Sequence, residues 1–392
     1  MTKNLASNPW PHFSEDEIAA VTAVLRSGKI NYWTGEQGRA FEQEYALATG
    51  RRHGIALANG TLALELALHA FGIGPGDEVI TASRTYVASA SCAVMRGAVP
   101  VMADVDADSQ CVTAATLRAA LTPRTRAIVV VHLAGWPCPM DEIMALAAEH
   151  KLIVVEDCAQ AHGATWRGRP IGSFGHAAAF SFCQDKIITT GGEGGMLVLD
   201  DEDAWQRAWA YKDIGRSFDA VYRRQHAPGF RWLTESFGSN WRLTELQSVI
   251  GRLQLAKLPG WIDARRRHAS VLAAGFADLT ALRVPVTPPH VGHAYYKFYA
   301  FVRPDALAAG WSRDRIMAEL NERGVGCTVG SCSEIYLERA FTDRGWGPAQ
   351  RLPVARELGE TSLCFMVHPT LLPATLASHV AAMRAVMAVA SR

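Results

Sequence analysis

The sequence of 392 residues lacks an excess of either charge and a long apolar run. Lysine and arginine number 39 and aspartate and glutamate 38, so the formal net charge is only +1. This balance argues against a protein that binds a nucleic-acid backbone or a membrane through a basic patch. No uncharged apolar stretch approaches the length of a membrane span, and the first residues contain no apolar core of signal-peptide length. We therefore expect no nucleic-acid partner and no membrane partner.

The sequence also lacks a cysteine pattern typical of a metal site. The only close pair, Cys327 and Cys332, has no second pair to complete a zinc site, so we expect no bound metal. The other cysteines are scattered, which together with the absence of a secretory start favours a reducing cytosol and a cytoplasmic protein. The eight cysteines are Cys92, Cys111, Cys138, Cys158, Cys183, Cys327, Cys332 and Cys364.

What is present is a regular alternation of short apolar runs with helical segments. Uninterrupted valine, isoleucine and leucine runs are typical of strands covered on both faces, and their alternation with helices predicts a mostly parallel, doubly wound sheet. The predicted strands are His53–Ala58, Glu78–Ala82, Val99–Ala103, Ala127–Leu133, Leu152–Glu156 and Ala177–Phe182.

The last third of the chain has a different pattern. Two amphipathic helices, Thr244–Leu258 and Ile262–Phe276, are predicted on either side of Pro259-Gly260, because proline interrupts a helix. A proline-containing linker at Pro285–Pro289 precedes a smaller α+β unit. We therefore predict a large α/β domain over residues 1–284, which includes an irregular arm at 1–13, and a small C-terminal α+β domain over 285–392.

The stretch around Lys186 carries the first functional signal. Lys186 follows a buried strand in a polar turn and precedes the glycine-rich run Gly191–Gly195. Such a setting favours a lysine whose amine attacks a carbonyl carbon to form a Schiff base. A lysine in an ordinary surface loop is the alternative.

Two further clusters lie at strand ends, where open α/β sheets bind their ligands. Asn59-Gly60-Thr61 stands between a strand and a helix and is either a phosphate site at a helix N-terminus or a helix cap without a ligand. Asp157 follows another strand and either pairs with a protonated ring nitrogen or caps the next segment. His162, just beyond it, is either a partner of the site or a structural histidine.

Tyr86 follows the strand Glu78–Ala82 and either stacks on an aromatic cofactor or packs in the core. The combination of features is more informative than any one of them. A lysine amine at 186, a carboxylate at Asp157 and a phosphate site at Gly60 and Thr61 are the groups that pyridoxal 5'-phosphate (PLP) requires.

An ordered set of motifs from about Gly35 to Leu258 resembles the DegT/DnrJ/EryC1/StrS family of PLP-dependent sugar aminotransferases. The motifs are NGTLALELAL at Asn59–Leu68, GIGPGDEVITAS at Gly72–Ser83, TYVASA at Thr85–Ala90, DVDADS at Asp104–Ser109, VHLAGWPCPMDEI at Val131–Ile143, VVEDCAQAHGA at Val154–Ala164, SFCQDKIITTGGEGG at Ser181–Gly195 and GSNWRLTELQSVIG at Gly238–Gly251.

The resemblance implies the fold-type I architecture, with a mostly parallel seven-stranded sheet, and a role for each matching residue. Lys186 is implied to be the Schiff-base lysine and the acid/base group, and Asp157 the partner of the pyridine nitrogen. The remaining implied contacts are Gln160 beside the ring hydroxyl, Tyr86 on the ring face, Gly60, Thr61 and Ser181 on the phosphate, and Asn240 on the phosphate of the neighbouring subunit of a homodimer.

The implied activity is transfer of an amino group, with L-glutamate as donor, to a nucleotide-linked keto-deoxysugar in deoxyaminosugar, surface-polysaccharide or natural-product biosynthesis. The alternatives are a keto-cyclitol aminotransferase and a non-catalytic regulatory relative. Family members that act as 3-dehydratases have histidine at the lysine position, so the presence of Lys186 argues against that chemistry. The segments Gly326–Ile335 and Leu363–Pro369 depart from the usual family pattern.

Overall fold

A computed structural model describes residues 9–392, so residues 1–8 of the predicted arm lie outside the described part of the chain. The helices are α1 Glu15–Ser27, α2 Gln37–Ala48, α3 Gly60–Ala70, α4 Ala88–Met95, α5 Ala114–Ala120, α6 Met140–His150, α7 Glu202–Lys212, α8 Phe218–Tyr222, α9 Glu245–Phe276, α10 Arg313–Glu322, α11 Arg339–Thr342, α12 Pro353–Thr361 and α13 Pro373–Ala390. The strands are β1 His53–Leu57, β2 Glu78–Ala82, β3 Val99–Ala103, β4 Thr125–Val131, β5 Ile153–Asp157, β6 Thr165–Trp166, β7 Arg169–Pro170, β8 Ala177–Ser181, β9 Gly195–Leu199, β10 Leu282–Arg283, β11 Val291–Gly292, β12 Phe298–Val302, β13 Cys327–Thr328 and β14 Ser362–Phe365.

The main sheet has seven strands in the order β1-β9-β8-β5-β4-β2-β3. Only β9 runs against the other strands, so the predicted mostly parallel seven-stranded sheet is confirmed. Helices on both faces bury the apolar strands, as the absence of polar alternation indicated. Strand β9 was not predicted, although Met196 to Leu199 is an apolar run.

A second, four-stranded antiparallel sheet has the order β10-β12-β14-β13. Helix α13 packs against α9 and α10 and buries Leu376, Met383 and Val386 in the same hydrophobic core as this sheet. Of the helices in residues 9–392, only α13 is long and apolar enough to cross a membrane by length and composition.

The prediction of two helices separated by Pro259-Gly260 is wrong, because α9 is one continuous helix of 32 residues that contains Pro259. A proline inside a helix costs about 3 kcal/mol. Packing on both sides of it compensates for this loss, since Leu255 before it packs against the core of the main sheet and Phe276 after it is buried in the core of the four-stranded sheet.

Polar contacts join the two sheets. The carboxylate of Asp104 accepts hydrogen bonds from the backbone N–H groups of Val354 (3.1 Å) and Ala355 (2.9 Å), at the start of α12. The buried Arg84 donates to Ser362 of β14 at 3.2 Å. The division into residues 1–284 and 285–392 stays a proposal, because β10 joins the four-stranded sheet whereas β11 pairs with β6.

Candidate active site

Three of the predicted site residues meet at the carboxyl ends of adjacent strands. Strand β5 ends at Asp157 and the neighbouring strand β8 ends at Ser181. Helix α3 begins at Gly60, and a Cβ atom placed on Gly60 would lie 2.6 Å from the Cβ of Ser181. The sheet order therefore brings together residues that are up to 121 positions apart in the sequence.

The start of α3 has the chemistry of a phosphate site. The side chain of Asn59 accepts a hydrogen bond from the N–H of Leu62 at 2.9 Å, and the N–H groups of Gly60 and Thr61 have no acceptor among residues 9–392. Free N–H groups and the helix dipole favour an anion at this position. The hydroxyl of Ser181 lies beside them, so these residues fit the phosphate of PLP.

Gly195, at the start of β9, allows this arrangement through close backbone contact. A Cβ on Gly195 would lie 2.2 Å from the carbonyl oxygen of Asn59 and 2.8 Å from the nitrogen of Gly60. No side chain fits there without moving the first turn of α3. The glycine-rich run therefore packs closely against the backbone of the proposed phosphate site.

We expect the substitution Gly195→Ala to lower the free energy of unfolding by about 1–3 kcal/mol, the usual effect of overpacking, and to weaken PLP binding. Gly260→Ala is the matched control, because a Cβ at Gly260 meets no atom within 4 Å. Denaturant unfolding and equilibrium PLP titration of both variants check this. Equal stability and PLP affinity in the two variants would show that the close contact at Gly195 is unimportant.

Asp157 is a buried carboxylate without a cationic partner among the described residues. It accepts hydrogen bonds from the hydroxyl of Ser89 at 2.7 Å and from the N–H of Ala159 at 3.1 Å. Burial raises the pKa of Asp157, although these donors and the charge of Lys186 act in the opposite direction. A protonated ring nitrogen would supply the missing positive partner, so Asp157 fits the pyridine nitrogen of PLP.

Lys186 presents a free amine. Its Nζ lies 4.9 Å from the ring centroid of Tyr296 and has no hydrogen-bond or ion-pair partner in residues 9–392. Its backbone is fixed at both ends, because its N–H donates to the carbonyl of Cys183 at 3.0 Å and its carbonyl accepts from the indole of Trp10 at 3.0 Å. The backbone is held while the side chain remains available for reaction.

The other predicted contacts are placed as follows. The side-chain oxygen of Gln160 accepts from the N–H of Ala134 at 2.7 Å, which fixes the side chain and leaves its NH₂ group without a described partner. Tyr86 is 68% exposed, so the alternative of core packing is wrong. Asn240 is also exposed, and its backbone pairs with that of Asp213. Contacts of Tyr86 and Asn240 with PLP stay predictions.

His162 has a structural role beneath the site. Its Nε2 donates to the carbonyl of Ser181 at 2.9 Å, since a carbonyl only accepts, and its Nδ1 accepts from the hydroxyl of Tyr45 at 2.6 Å. Burial lowers the pKa of His162 to about 3, so the ring is neutral at physiological pH. His162 therefore fixes the end of β8, which carries Ser181.

A second buried carboxylate belongs to Glu156, for which the sequence pattern indicated no role. Burial acts to raise its pKa, but His132 and backbone N–H groups outweigh this and hold the pKa below its ordinary value. The nearby group of His132, Glu156 and Cys158 resembles a metal site in residue type. However, Glu156 is occupied by His132 and by the N–H groups of Gly172 (2.9 Å) and Gly175 (2.7 Å), which favours a structural network.

Comparisons with known proteins found a family model, a sequence relative and solved structures that match almost the whole chain. The model of the DegT/DnrJ/EryC1/StrS aminotransferase family matches residues 11–384. A relative from Acidithiobacillus ferrooxidans, UDP-N-acetyl-3-dehydro-alpha-D-glucosamine 3-aminotransferase, is 36% identical over 369 residues, or 92% of this chain and 91% of the relative. The aminotransferase from Psychrobacter cryohalolentis has 52% identity and a TM-score of 0.96 over 98% of this chain and 99% of that one. The PLP form of Spr1654 from Streptococcus pneumoniae, described as a sugar aminotransferase, has 25% identity and a TM-score of 0.86 over 96% and 97% of the two chains.

Proposed function

We propose that this chain, which belongs to the DegT/DnrJ/EryC1/StrS aminotransferase family and is a PLP-dependent aminotransferase, transfers an amino group from L-glutamate to a nucleotide-linked keto-sugar. The observation that carries the proposal is the buried Asp157, which lacks a cationic partner in the described chain and lies in one site with the free amine of Lys186. The substrate class is supported by the relative that is named for a UDP-linked 3-keto sugar.

The residues present divide the task of holding PLP. Gly60, Thr61 and Ser181 would bind its phosphate, Asp157 its ring nitrogen and Gln160 its ring hydroxyl. Tyr86 would stack on the ring and Lys186 would bond to it. When bound, PLP supplies a carbon that reacts with amines and a ring that delocalises an electron pair.

The chain itself supplies proton transfer and electrostatics. The Nζ of Lys186 takes the proton from Cα of the donor and returns a proton during the same half of the reaction. The negative charge of Asp157 would keep a proton on the ring nitrogen of PLP, which would favour the electron-withdrawing form of the ring. The buried position of Asp157 strengthens this interaction, because charges attract more strongly where water is excluded.

The substrate proposal is tested with purified PLP-loaded protein, L-glutamate and a panel of carbonyl acceptors. We expect mass spectrometry to find an amine on UDP-linked 3-keto-N-acetylglucosamine, with 2-oxoglutarate formed in equal amount. A keto-inositol serves as the competing acceptor. Amination of the keto-inositol alone would favour the keto-cyclitol alternative, and the absence of PLP binding would favour the non-catalytic one.

We also propose that the active enzyme is a homodimer with shared sites. Asn240 is exposed, and the preceding segment carries three exposed aromatic side chains, Phe230, Trp232 and Phe237, at 78%, 81% and 98% exposure. Large exposed aromatic side chains on one segment are typical of an interaction surface.

A cytoplasmic location is supported by eight cysteines that are all free thiols.

Sharing of sites predicts complementation between two inactive variants. Lys186→Ala and Asn240→Ala homodimers are each expected to be impaired, whereas dimers reassembled from an equal mixture should regain about one quarter of the wild-type sites. Half of randomly mixed dimers are heterodimers, and each of these contains one site with both residues intact. Activity before and after reassembly checks this. A mixture no more active than the average of the two variants would place Asn240 in its own subunit's site, or outside any site.

A further inference from the structure

Two cationic side chains lie near Lys186, on the side where it faces the ring of Tyr296. Neither of them has been given a role above. They are Lys297 and Arg265, called here the cationic pair. The Nζ of Lys297 lies 4.8 Å from the Tyr296 ring centroid, and the Nζ of Lys186 lies 4.9 Å from the same centroid. Arg265 donates through Nη1 to the carbonyl of Tyr296 at 3.3 Å. The cationic pair is therefore adjacent to the reacting amine.

Arg265 is a buried cation that lacks partners. Its exposure is 1%, and its Nε and Nη2 atoms have no hydrogen-bond acceptor in the described chain. The carbonyls that it does contact, those of Tyr295 and Tyr296, are neutral, and the ring of Trp10 covers the guanidinium with its centroid 5.0 Å from Cζ. Burial lowers the pKa of Arg265 to about 9. An unpaired guanidinium of this kind is costly unless an anion completes its surroundings.

Lys297 is similarly underpaired but reachable. Its side chain is 18% exposed, and its one hydrogen bond within residues 9–392 goes to the thioether sulfur of Met366 at 3.1 Å, a weak acceptor. Burial lowers its pKa, and the positive charge of Lys186 acts in the same direction. Lys297 therefore has unused donors next to the site.

Asp185 is the only carboxylate that approaches the cationic pair in the described residues. Its Oδ2 lies 3.9 Å from the Nζ of Lys297, beyond hydrogen-bond distance, and already accepts the hydroxyl proton of Tyr296. Its side chain is 52% exposed. One half-exposed carboxylate does not balance two cations in this region, so an anion is missing.

We infer that Lys297, supported by Arg265, binds the α-carboxylate of the amino donor; the inference rests on the proposed function. The location favours this group over the diphosphate of a nucleotide sugar. An α-carboxylate is bonded directly to the carbon that carries the amine, so it must lie close to Lys186 during the reaction. The diphosphate is separated from a ring carbonyl carbon by intervening sugar atoms and reaches further away.

The test removes the carboxylate from the ligand and the ammonium from the protein in turn. The ligands are L-glutamate and 4-aminobutanoate, which is L-glutamate without its α-carboxylate. The variants are Lys297→Met, which keeps the length of the side chain, and Lys29→Met, the same change at an exposed lysine. PLP-loaded protein is mixed with each ligand, and the dissociation constant is taken from the concentration dependence of the visible absorbance change.

We expect Lys297→Met to weaken the binding of L-glutamate roughly 10- to 100-fold, which is the effect of losing a charged hydrogen bond. The binding of 4-aminobutanoate should weaken less than about threefold. Lys29→Met should change neither constant. Non-additivity of this kind shows direct pairing between the two removed groups. α-Methyl-L-glutamate has no Cα proton to lose, so it binds without turnover. Its affinity as a competitor should fall in Lys297→Met by the same factor as that of L-glutamate.

If Lys297→Met weakened the binding of both ligands equally, the inference would be overturned, because the effect would not depend on the α-carboxylate. Unchanged L-glutamate binding with weakened UDP binding would overturn it in favour of a diphosphate site. Amination of the keto-sugar by the amine-loaded wild-type enzyme is measured separately. If wild-type enzyme lacks that second step, the proposed function fails, while the donor-binding result remains interpretable.

Discussion

Lys186→Ala is expected to lower turnover at least about 10⁴-fold without unfolding the protein. The variant loses both the amine that bonds to PLP and the base that moves the donor's proton. The amine of Lys186 has no hydrogen-bond or ion-pair partner within residues 9–392, so its removal breaks no hydrogen bond or ion pair of the described chain. Single-turnover kinetics with L-glutamate and thermal unfolding together check this.

Two comparisons make the Lys186 result specific. Lys186→Arg keeps the positive charge but provides no amine of suitable basicity, and it should be as inactive as the alanine variant. Lys29→Ala removes an exposed lysine and should retain wild-type activity. Substantial turnover by either Lys186 variant would mean that another residue performs the chemistry.

Asp157→Asn is expected to reduce kcat by about 10²- to 10³-fold, in the range of removing one preorganised electrostatic interaction. Asparagine has almost the same shape and can still accept from Ser89, so the fold should be preserved. It lacks the negative charge that would keep a proton on the ring nitrogen of PLP. The loss should therefore appear in kcat more than in the PLP affinity.

The matched control is Asp263→Asn on the exposed side of α9, which should leave kcat unchanged. A cofactor whose ring nitrogen carries a permanent methyl group offers an independent check, because its charge does not depend on a carboxylate. Loading Asp157→Asn with this analogue should recover part of the lost rate. Unaltered kinetics in Asp157→Asn would contradict its pairing with the nitrogen.

The position of Asp157 was predictable because the ends of apolar strands follow from local patterns. The predicted strand Leu152–Glu156 placed Asp157 at a strand end, whereas Ser181 lay inside the predicted strand Ala177–Phe182 and was assigned to the phosphate only through the family resemblance. The glycine at position 60 indicated a helix start close to another backbone. These inferences use short-range periodicity and the rule for ligands in open sheets, which hold without detailed tertiary contacts.

Other features depended on contacts that sequence spacing does not reveal. Pro259 predicted a helix end, but packing in two separate cores keeps α9 continuous. Whether Tyr86 was buried or exposed stayed open because both outcomes suit an aromatic residue after a strand. The cationic pair was missed because Lys297 is more than a hundred positions from Lys186, and the ring of Tyr296 relates them only in the folded chain.

Reduction of the PLP-loaded protein with borohydride, followed by digestion and mass spectrometry of the peptides, tests the central claim most directly. Reduction converts a bond between PLP and a lysine into a stable modification, and the visible absorbance at roughly 400–430 nm should disappear. We expect the modification on the peptide that contains Lys186 and on no other. Modification of Lys297 instead, or the absence of any modified lysine in protein that has bound PLP, would contradict the account.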